Sequence, residues 1–178
     1  MIYKIKYFCG GAGKKKNSQE KLNRTLIKIT KLLNNSSFDN WFIAYGTLLG
    51  IIRDNNTIDG DDDVDILIDI KYKDKLVYLL KKNNFILTHN MSNILKTKEN
   101  SEFSSIDFYL SNINNVGDYN DTWSKINWKN CNNLKILNWN GVKLKIPNDE
   151  ISKLRNRYGE TWKIKQDIKV PYDKISEI

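Results

Sequence analysis

The sequence predicts an α+β protein in which amphipathic helices and short strands surround one hydrophobic core. Apolar residues recur at helical spacing through residues 18–33, which is typical of an amphipathic helix. Aspartates alternate with apolar residues through residues 63–70, which is typical of a half-buried strand. Asn140-Gly141 separates two apolar runs and predicts a β-hairpin. The chain therefore contains both kinds of regular structure.

Length and composition favour a single domain. The chain has 178 residues, of which 40% are hydrophobic, enough for one core and too few for two. We expect one domain over residues 1–178, with residues 1–16 as a flexible leader and residues 163–178 as a loosely held tail. The formal net charge is +8, but the lysines are spread along the chain, so a solvated basic surface is favoured over a nucleic-acid-binding stripe.

Cysteine content and hydropathy bear on location. Cys9 and Cys131 are too few for a disulfide-stapled secreted fold and favour a reducing compartment. No apolar stretch approaches the roughly 18 residues that span a bilayer. Residues 1–8 alternate charged and apolar side chains and do not form a signal-peptide core. We therefore expect a cytoplasmic protein without a membrane span.

The elements follow from local patterns taken in chain order. Residues 41–45 are apolar and aromatic, short enough for a buried strand that closes at Gly46-Thr47. Residues 9–16 are rich in glycine and lysine but lack the positions of a phosphate-binding loop. The remaining predicted elements are a strand at 1–8, a helix at 18–33 with a capping box of Asn17 and Glu20, a helix at 72–82, strands at 85–88, 94–97 and 105–110, hairpin strands at 134–139 and 142–146, and a helix from Pro147-Asn148 to Gly159.

Aspartates on predicted strands are the candidate metal ligands. Asp63 and Asp65 lie about 6.5 to 7 Å apart on one strand face, so their carboxylates can lean together onto one cation. Without a cation, like charges about 4 Å apart repel by roughly 4 kcal/mol at an effective dielectric of about 20. Asp107 lies on the alternating strand 105–110 and is positioned to supply a third carboxylate.

The identity of the metal follows from the ligand type. Mg²⁺ prefers hard oxygen ligands and keeps positions open for substrate phosphates, with Mn²⁺ as the alternative. Asp61 shares the parity of the ligands and is placed beside them, whereas Asp69 is better explained as solvation of the strand. The competing interpretation is that all these aspartates only solvate an edge strand, although aspartate is depleted in strands.

These residues also carry a resemblance to a known family. The chain resembles the LicD/fukutin family, a branch of the nucleotidyltransferase superfamily, in the segment Tyr45-Gly46-Thr47-Leu48-Leu49-Gly50-Ile51-Ile52-Arg53, followed by Ile58 and Asp61-Asp62-Asp63-Val64-Asp65-Ile66. Further matches are Ile106-Asp107-Phe108, similar to the third-carboxylate strand, and Ile146-Pro147 with Arg157-Tyr158-Gly159-Glu160-Thr161-Trp162, similar to the closing segment. The matches run in order from about Trp41 to Trp162.

The resemblance implies a nucleotidyltransferase-like fold, with a central mixed β-sheet flanked by helices. It also implies that Asp63, Asp65 and Asp107 are catalytic and hold Mg²⁺. Members of the family transfer a phospho-alcohol, such as phosphocholine or ribitol phosphate, from its CDP-activated form to a sugar hydroxyl. The expected partners are therefore a CDP-linked or other nucleotide-activated donor and a glycan or glycoconjugate acceptor.

Substrate contacts are expected from residues around the aspartates. In phosphoryl transfer the protein mostly positions groups and neutralises charge, so Gly46-Thr47 would offer N–H groups and a hydroxyl to the diphosphate. Arg53 would clamp a phosphate with its planar fork, Asp61 would border the substrate, and Asp107 would take the acceptor hydroxyl's proton.

One departure from the family concerns the residues before the aspartates. Asp59-Gly60 stands where the family usually has Pro-Trp, which removes a rigid wall and adds a charge. The departure bears on the identity of the donor more than on the chemistry.

Other functions remain open at the level of sequence. The same site would serve transfer of a nucleotidyl group from an NTP to a sugar, an antibiotic or an RNA end. A basic nucleic-acid-binding protein and a member that binds nucleotide without turnover are further alternatives. His89 is the sole histidine, which argues against a Ser-His-Asp triad or a histidine-rich zinc site. The aromatic side chains of Trp123, Trp128, Trp139 and Trp162 are expected in the core, with base or sugar stacking as the alternative.

Overall fold

The computed structural model describes residues 17–165 and 176–178. The predicted strand at 1–8 and the leader lie outside the described residues, as does most of the tail. The helices of the described part are α1 (Gln19–Asn34), α2 (Tyr45–Asp54), α3 (Lys73–Lys82) and α4 (Glu150–Tyr158). The strands are β1 (Trp41–Ile43), β2 (Asp63–Asp69), β3 (Leu87–Asn90), β4 (Ile94–Thr97), β5 (Ser105–Ile113), β6 (Tyr119–Asp121), β7 (Ile126–Trp128), β8 (Lys135–Trp139) and β9 (Val142–Ile146).

The sheet is mixed, as predicted. Its strand order is β1-β2-β5-β4-β3, and β6 pairs with both β5 and β7. Strands β2 and β5 are parallel, whereas the β1–β2, β4–β5 and β3–β4 pairs are antiparallel. Strands β8 and β9 form the predicted hairpin as a separate sheet. The α+β class with a mixed sheet flanked by helices is therefore confirmed.

The alternation in β2 and β5 separates an apolar face from a polar one. Side chains that point to the apolar face are at most 1% exposed and belong to the same buried cluster as the apolar stripe of α1; they are Val64, Ile66, Ile68, Ile106, Phe108 and Leu110. Because successive side chains of a strand point to opposite faces, Asp63, Asp65, Asp107 and Tyr109 share the other face. Burial of the apolar face thus fixes where the carboxylates point.

Helix α1 has the predicted buried stripe but a different N-cap. The Ser18 side chain accepts a hydrogen bond from the Lys21 N–H at 3.3 Å and caps the helix. The predicted capping box of Asn17 and Glu20 is wrong, because the Asn17 amide donates instead to the carbonyl of Asp62 at 3.0 Å. Asn17 therefore ties the start of α1 to the loop that leads into β2.

Helix α2 was not predicted as a helix. The predicted strand at 41–45 ends at Ile43, and Tyr45 begins α2 with a φ of 44°. Its aromatic first residue and the two glycines within it are unusual in a helix, so local propensity did not indicate one. The structural reason for α2 lies in tertiary contacts of Tyr45, Gly46 and Thr47, described below.

Other strands also differ from prediction. Strands β6 and β7, of three residues each, were not predicted, and β3 starts at Leu87, two residues later than expected. Strand β5 runs on to Ile113, where it pairs with β6. Such short strands are specified by their pairing partners more than by local sequence.

Among residues 17–165 and 176–178, no helix has both the length and the apolar character needed to cross a bilayer.

Candidate active site

The parallel β2–β5 pair brings together the three aspartates that the sequence singled out. Asp65 lies directly opposite Asp107 in the ladder, and Asp63 lies opposite Ser105. Neighbouring strands are about 4.8 Å apart, and paired residues point to the same face. The carboxyl groups of Asp63 and Asp107 are also hydrogen-bond partners, so the carboxyl groups of Asp63, Asp65 and Asp107 adjoin one another.

Further carboxylates border this group. Oxygen atoms of Asp61, Asp62 and Asp63 all lie within 4.8 Å of one another. Asp61 was predicted beside the ligands, and the structure brings it there. Asp62 was not singled out, and its N–H donates to Asp61 Oδ1 at 3.0 Å, which orients the Asp61 side chain. We call Asp61, Asp62, Asp63, Asp65 and Asp107 the aspartate cluster.

The electrostatics of the aspartate cluster favour uptake of positive charge. Burial raises the pKa of Asp63 well above its usual value, and the charges of Asp65 and Asp107 raise it further. Burial likewise raises the pKa of Asp65, with Asp61 and Asp107 adding to the effect. Two unit charges about 5 Å apart repel by roughly 3 kcal/mol at an effective dielectric of about 20. A divalent cation bound by these oxygens would remove this repulsion.

Asp65 is held by α2 and by β5. The Gly46 N–H donates to Asp65 Oδ2 at 3.0 Å, and the Tyr109 hydroxyl donates to Oδ1 at 3.0 Å. The backbone N–H of Asp65 donates to Thr47 Oγ1 at 2.8 Å. The N-terminus of α2, with its partial positive charge, therefore points at a carboxylate.

These bonds change the interpretation of Gly46 and Thr47. In this structure the Gly46 N–H and the Thr47 hydroxyl oxygen contact Asp65, and their contact with a diphosphate stays a prediction. A Cβ at position 46 would lie 2.9 Å from Asp61 Oδ2 and 3.4 Å from Asp65 Oδ2, so these carboxylates would have to shift. Gly46 thus allows two carboxylates to approach the start of α2.

Arg53 forms an ion pair with its neighbour Asp54 at the C-terminal end of α2. It lies in the last turn of α2, seven residues after Gly46, which is about 10 Å along the helix axis. Its guanidinium donates to both carboxylate oxygens of Asp54, with Nη2 to Oδ2 at 2.8 Å. Lys165 Nζ lies 3.3 Å from the same Asp54 Oδ2. The role of Arg53 as a phosphate clamp stays a prediction.

Two side chains at the cluster were not singled out by the sequence. Lys96 lies opposite Asp107 in the antiparallel β4–β5 ladder, and its ammonium donates to Asp107 Oδ2. Burial raises the pKa of Asp107, while the hydrogen bond and charge of Lys96 lower it. Tyr109 shares the parity of Asp107, a signal that was available in the sequence. The pairing of Lys96 with Asp107 is a matter of strand register, which the sequence does not reveal.

A buried network fixes the turn between β6 and β7. The Tyr45 hydroxyl donates to Asp121 Oδ2, and Trp128 Nε1 donates to the Tyr45 hydroxyl at 3.3 Å. Asp121 Oδ1 accepts from the N–H groups of Trp123 and Ser124 at 2.9 and 3.1 Å. The turn that carries Trp123 is thereby attached to the first residue of α2.

The tryptophans divide between the core and the surface. Trp128, Trp139 and Trp162 are at most 3% exposed and confirm the expectation of core positions. Trp123 is 40% exposed, and its ring lies 5.7 Å from Lys96 Nζ. An exposed aromatic ring therefore adjoins the aspartate cluster. His89 lies exposed on β3, and the oxygen atoms that approach one another at this site belong to aspartates.

The departure at Asp59-Gly60 has a structural role. Asp59 Oδ1 accepts from the Gln19 N–H at 3.2 Å, and the Gly60 N–H donates to the Asn17 carbonyl at 3.0 Å. Gly60 has a φ of 87°, a conformation that a tryptophan would adopt only under strain. In this chain the two residues join the loop before β2 to the start of α1.

Comparison with solved structures defines the class of fold. The lincomycin-bound lincosamide antibiotic adenylyltransferase LnuA is 19% identical, with a TM-score of 0.57 over 78% of this chain and 86% of that chain. The antibiotic-resistance factor ANT(2'')-Ia is 10% identical, with a TM-score of 0.51 over 69% of this chain and 63% of that chain. The fold is therefore that of the nucleotidyltransferases.

The family follows from the sequence model that matches the chain. The model described as LicD/FKTN/FKRP, nucleotidyltransferase domain, matches residues 39–157. The chain belongs to this family, and the protein is a transferase. No curated protein matches the chain. The resemblance and the nucleotidyltransferase-like fold predicted from the sequence are both confirmed.

Proposed function

We propose that the protein is a Mg²⁺-dependent transferase that moves a phospho-alcohol group, such as phosphocholine or ribitol phosphate, from a CDP-activated donor to a glycan hydroxyl. One observation carries the proposal: in a LicD-family domain, Asp63 and Asp65 of β2 adjoin Asp107 of β5 on one sheet face. Hard oxygen ligands that repel one another fit Mg²⁺, with Mn²⁺ as the alternative.

The roles of the residues follow from their contacts. Asp63, Asp65 and Asp107 would hold the metal ion, which when bound would neutralise charge on the donor diphosphate. The Gly46 N–H and the Tyr109 hydroxyl hold the Asp65 carboxylate, and Thr47 Oγ1 accepts from the Asp65 backbone N–H. Asp61 would border the substrate.

The bond changes of the reaction follow from the donor. The acceptor oxygen bonds to the phosphorus that carries the alcohol, and the bond from that phosphorus to CMP breaks. Asp107 takes the proton of the acceptor hydroxyl. CMP leaves as the second product.

Nucleotidyl transfer is the second candidate. The fold similarity covers 86% of an adenylyltransferase that acts on lincosamide antibiotics, which favours a reaction of that class. The same carboxylates would serve, but the acceptor would attack the α-phosphorus of an NTP. Pyrophosphate would then leave in place of CMP.

The two reactions are separated by their products. Purified protein with Mg²⁺ is incubated with CDP-choline, CDP-ribitol, CTP or ATP, each with a mixture of glycan acceptors, and CMP and pyrophosphate are measured. CMP released from a CDP-linked donor supports the proposal, provided that Asp63→Asn abolishes it. Pyrophosphate from an NTP supports the second candidate. Neither product, together with salt-dependent nucleic-acid binding that Asp63→Asn leaves unchanged, would overturn both.

A further inference from the structure

One cation of the chain already sits on the aspartate cluster. Lys96 Nζ contacts Asp107 Oδ2, and the two side chains are 26% and 4% exposed. The ammonium thus reaches from the partly open side of the site to a buried carboxylate. A divalent cation that uses Asp107 must compete with this ammonium for the same group.

The Lys96 ammonium on Asp107 also lies near an exposed aromatic ring. Its Nζ lies 5.7 Å from the ring of Trp123, which is 40% exposed and is held by the bond from its N–H to buried Asp121. An ammonium within about 6 Å of an indole face is attracted by the ring. The flexible four-carbon stem of lysine lets the ammonium leave Asp107 and stay beside Trp123.

We propose that Lys96 is an internal counter-ion that neutralises Asp107 in the empty site and is displaced onto the donor phosphate when the metal ion binds. The inference rests on the proposed function, because it takes Asp107 as a metal ligand. It assigns to Lys96 a phosphate-binding role of the kind predicted for Arg53. Lysine is a common phosphate ligand. The negative charge of the donor diphosphate can form an ion pair with the released ammonium.

The charge balance of the site supports displacement over a permanent ion pair. The side chain of Lys96 faces Asp107, and Asp107 in turn faces Asp63 and Asp65. Among the described residues, the Lys96 ammonium can offset one of these three carboxylates, whereas a divalent cation can offset two, and the ammonium that it displaces can then pair with one charge of an incoming diphosphate.

Binding of Mn²⁺, followed by electron paramagnetic resonance of the free ion, tests the inference. Lys96→Met removes the competitor, so we expect Mn²⁺ to bind roughly tenfold more tightly than to the wild type. Lys96→Arg keeps the charge and grips a carboxylate with two donors, so Mn²⁺ should bind more weakly than to the wild type. The matched control is Lys135→Met, which removes an equal charge from the Lys135–Glu150 pair and should leave binding unchanged.

A second measurement follows the phosphate-binding role. With Mn²⁺ saturating, the affinity for CDP should fall roughly tenfold in Lys96→Met and stay unchanged in Lys135→Met. If Mn²⁺ binds Lys96→Met no more tightly than the wild type, or if its CDP affinity is unchanged, the inference is overturned while the proposed function stands. If the wild type binds no Mn²⁺, both are overturned.

Discussion

Asp65 illustrates how a buried carboxylate is kept in place by dipoles. The Gly46 N–H and the Tyr109 hydroxyl each donate to one of its oxygens, and both donors are neutral. Hydrogen bonds to the charged form lower the pKa of a carboxyl group, but burial and the charges of Asp61 and Asp107 raise the pKa of Asp65 overall. The two donors therefore hold the Asp65 carboxylate in one orientation without a metal ion. Neither donor is charged, so only a cation would neutralise the charged carboxylate.

Substitution of Gly46 should weaken metal binding while it leaves the unfolding free energy nearly unchanged. In Gly46→Ala the new Cβ would lie 2.9 Å from Asp61 Oδ2, so the carboxylates must shift. Alanine in a helix is also favoured over glycine by about 1 kcal/mol. We therefore expect an unfolding free energy within about 1 kcal/mol of the wild type, with Mn²⁺ affinity reduced at least roughly tenfold. Urea unfolding and Mn²⁺ titration measure the two quantities.

Gly50→Ala is the matched control on the same helix. A Cβ at position 50 would lie 2.6 Å from the backbone oxygen of Asn56, which a side-chain rotation cannot relieve. This variant should lose unfolding free energy, and its folded fraction should bind Mn²⁺ like the wild type. Wild-type Mn²⁺ affinity in Gly46→Ala would show that close packing at the start of α2 does not position the carboxylates.

At the scale of elements, α2 and the β6–β7 turn depend on one another. The Tyr45 hydroxyl joins Asp121 to Trp128, and the Tyr45 ring packs edge-on against Tyr109 at 4.7 Å and against Trp128 at 5.3 Å. The guanidinium carbon of Arg157, from α4, lies 5.5 Å from the same ring centre. Contacts from β5, β7 and α4 therefore converge on the residue where α2 begins.

Removal of one hydroxyl tests this arrangement. Tyr45→Phe leaves the buried Asp121 Oδ2 and Trp128 Nε1 without the partner they share, so the unfolding free energy should fall by about 2 kcal/mol. The control is Tyr78→Phe on α3, where the side chain is 66% exposed and the change should stay within about 0.5 kcal/mol. Equal urea midpoints for the two variants would contradict a structural role of the network.

The elements that could be predicted are those specified by neighbouring residues in the sequence, and those that were missed depend on distant contacts. The alternation through Asp63 and Asp65, and again around Asp107, predicted β2, β5 and their polar face. Helix α2 was missed because its start depends on contacts of Tyr45 with Asp121, a residue 76 positions away. The position of Lys96 beside Asp107 depends on strand register, and sequence alone does not fix the register of short strands. The cluster was therefore predictable, while its supporting residues largely were not.

At the scale of the whole molecule, the aspartate cluster makes stability depend on pH. Burial and mutual repulsion raise the pKa of Asp63 and Asp65 above the usual 3.8. Above pH 3.8 the native state therefore keeps protons that the unfolded state has lost. Without metal, the unfolding free energy should fall as pH rises from 3.8 through the raised values, by at most about 1.4 kcal/mol per pH unit for each proton.

Urea unfolding with a chelator at about pH 5 and about pH 8 measures this dependence. We expect the unfolding free energy of the wild type to be lower at about pH 8 than at about pH 5. The difference between the two pH values should be smaller in Asp63→Asn. It should also be smaller for the wild type when Mg²⁺ replaces the chelator. If the unfolding free energies of Asp63→Asn and the wild type changed equally between the two pH values, the aspartate cluster would not control the pH dependence.

The central claim, that Asp63, Asp65 and Asp107 jointly hold one divalent ion, is tested most directly by Mn²⁺ titration of the wild type and of the three Asp→Asn variants. We expect saturable binding of one ion by the wild type, and binding at least roughly tenfold weaker in each variant, because each loses a charged ligand. Asp74→Asn, at an exposed position of α3, is the control and should bind like the wild type. Wild-type affinity in Asp107→Asn would contradict the claim, because β5 would then contribute nothing to the metal site.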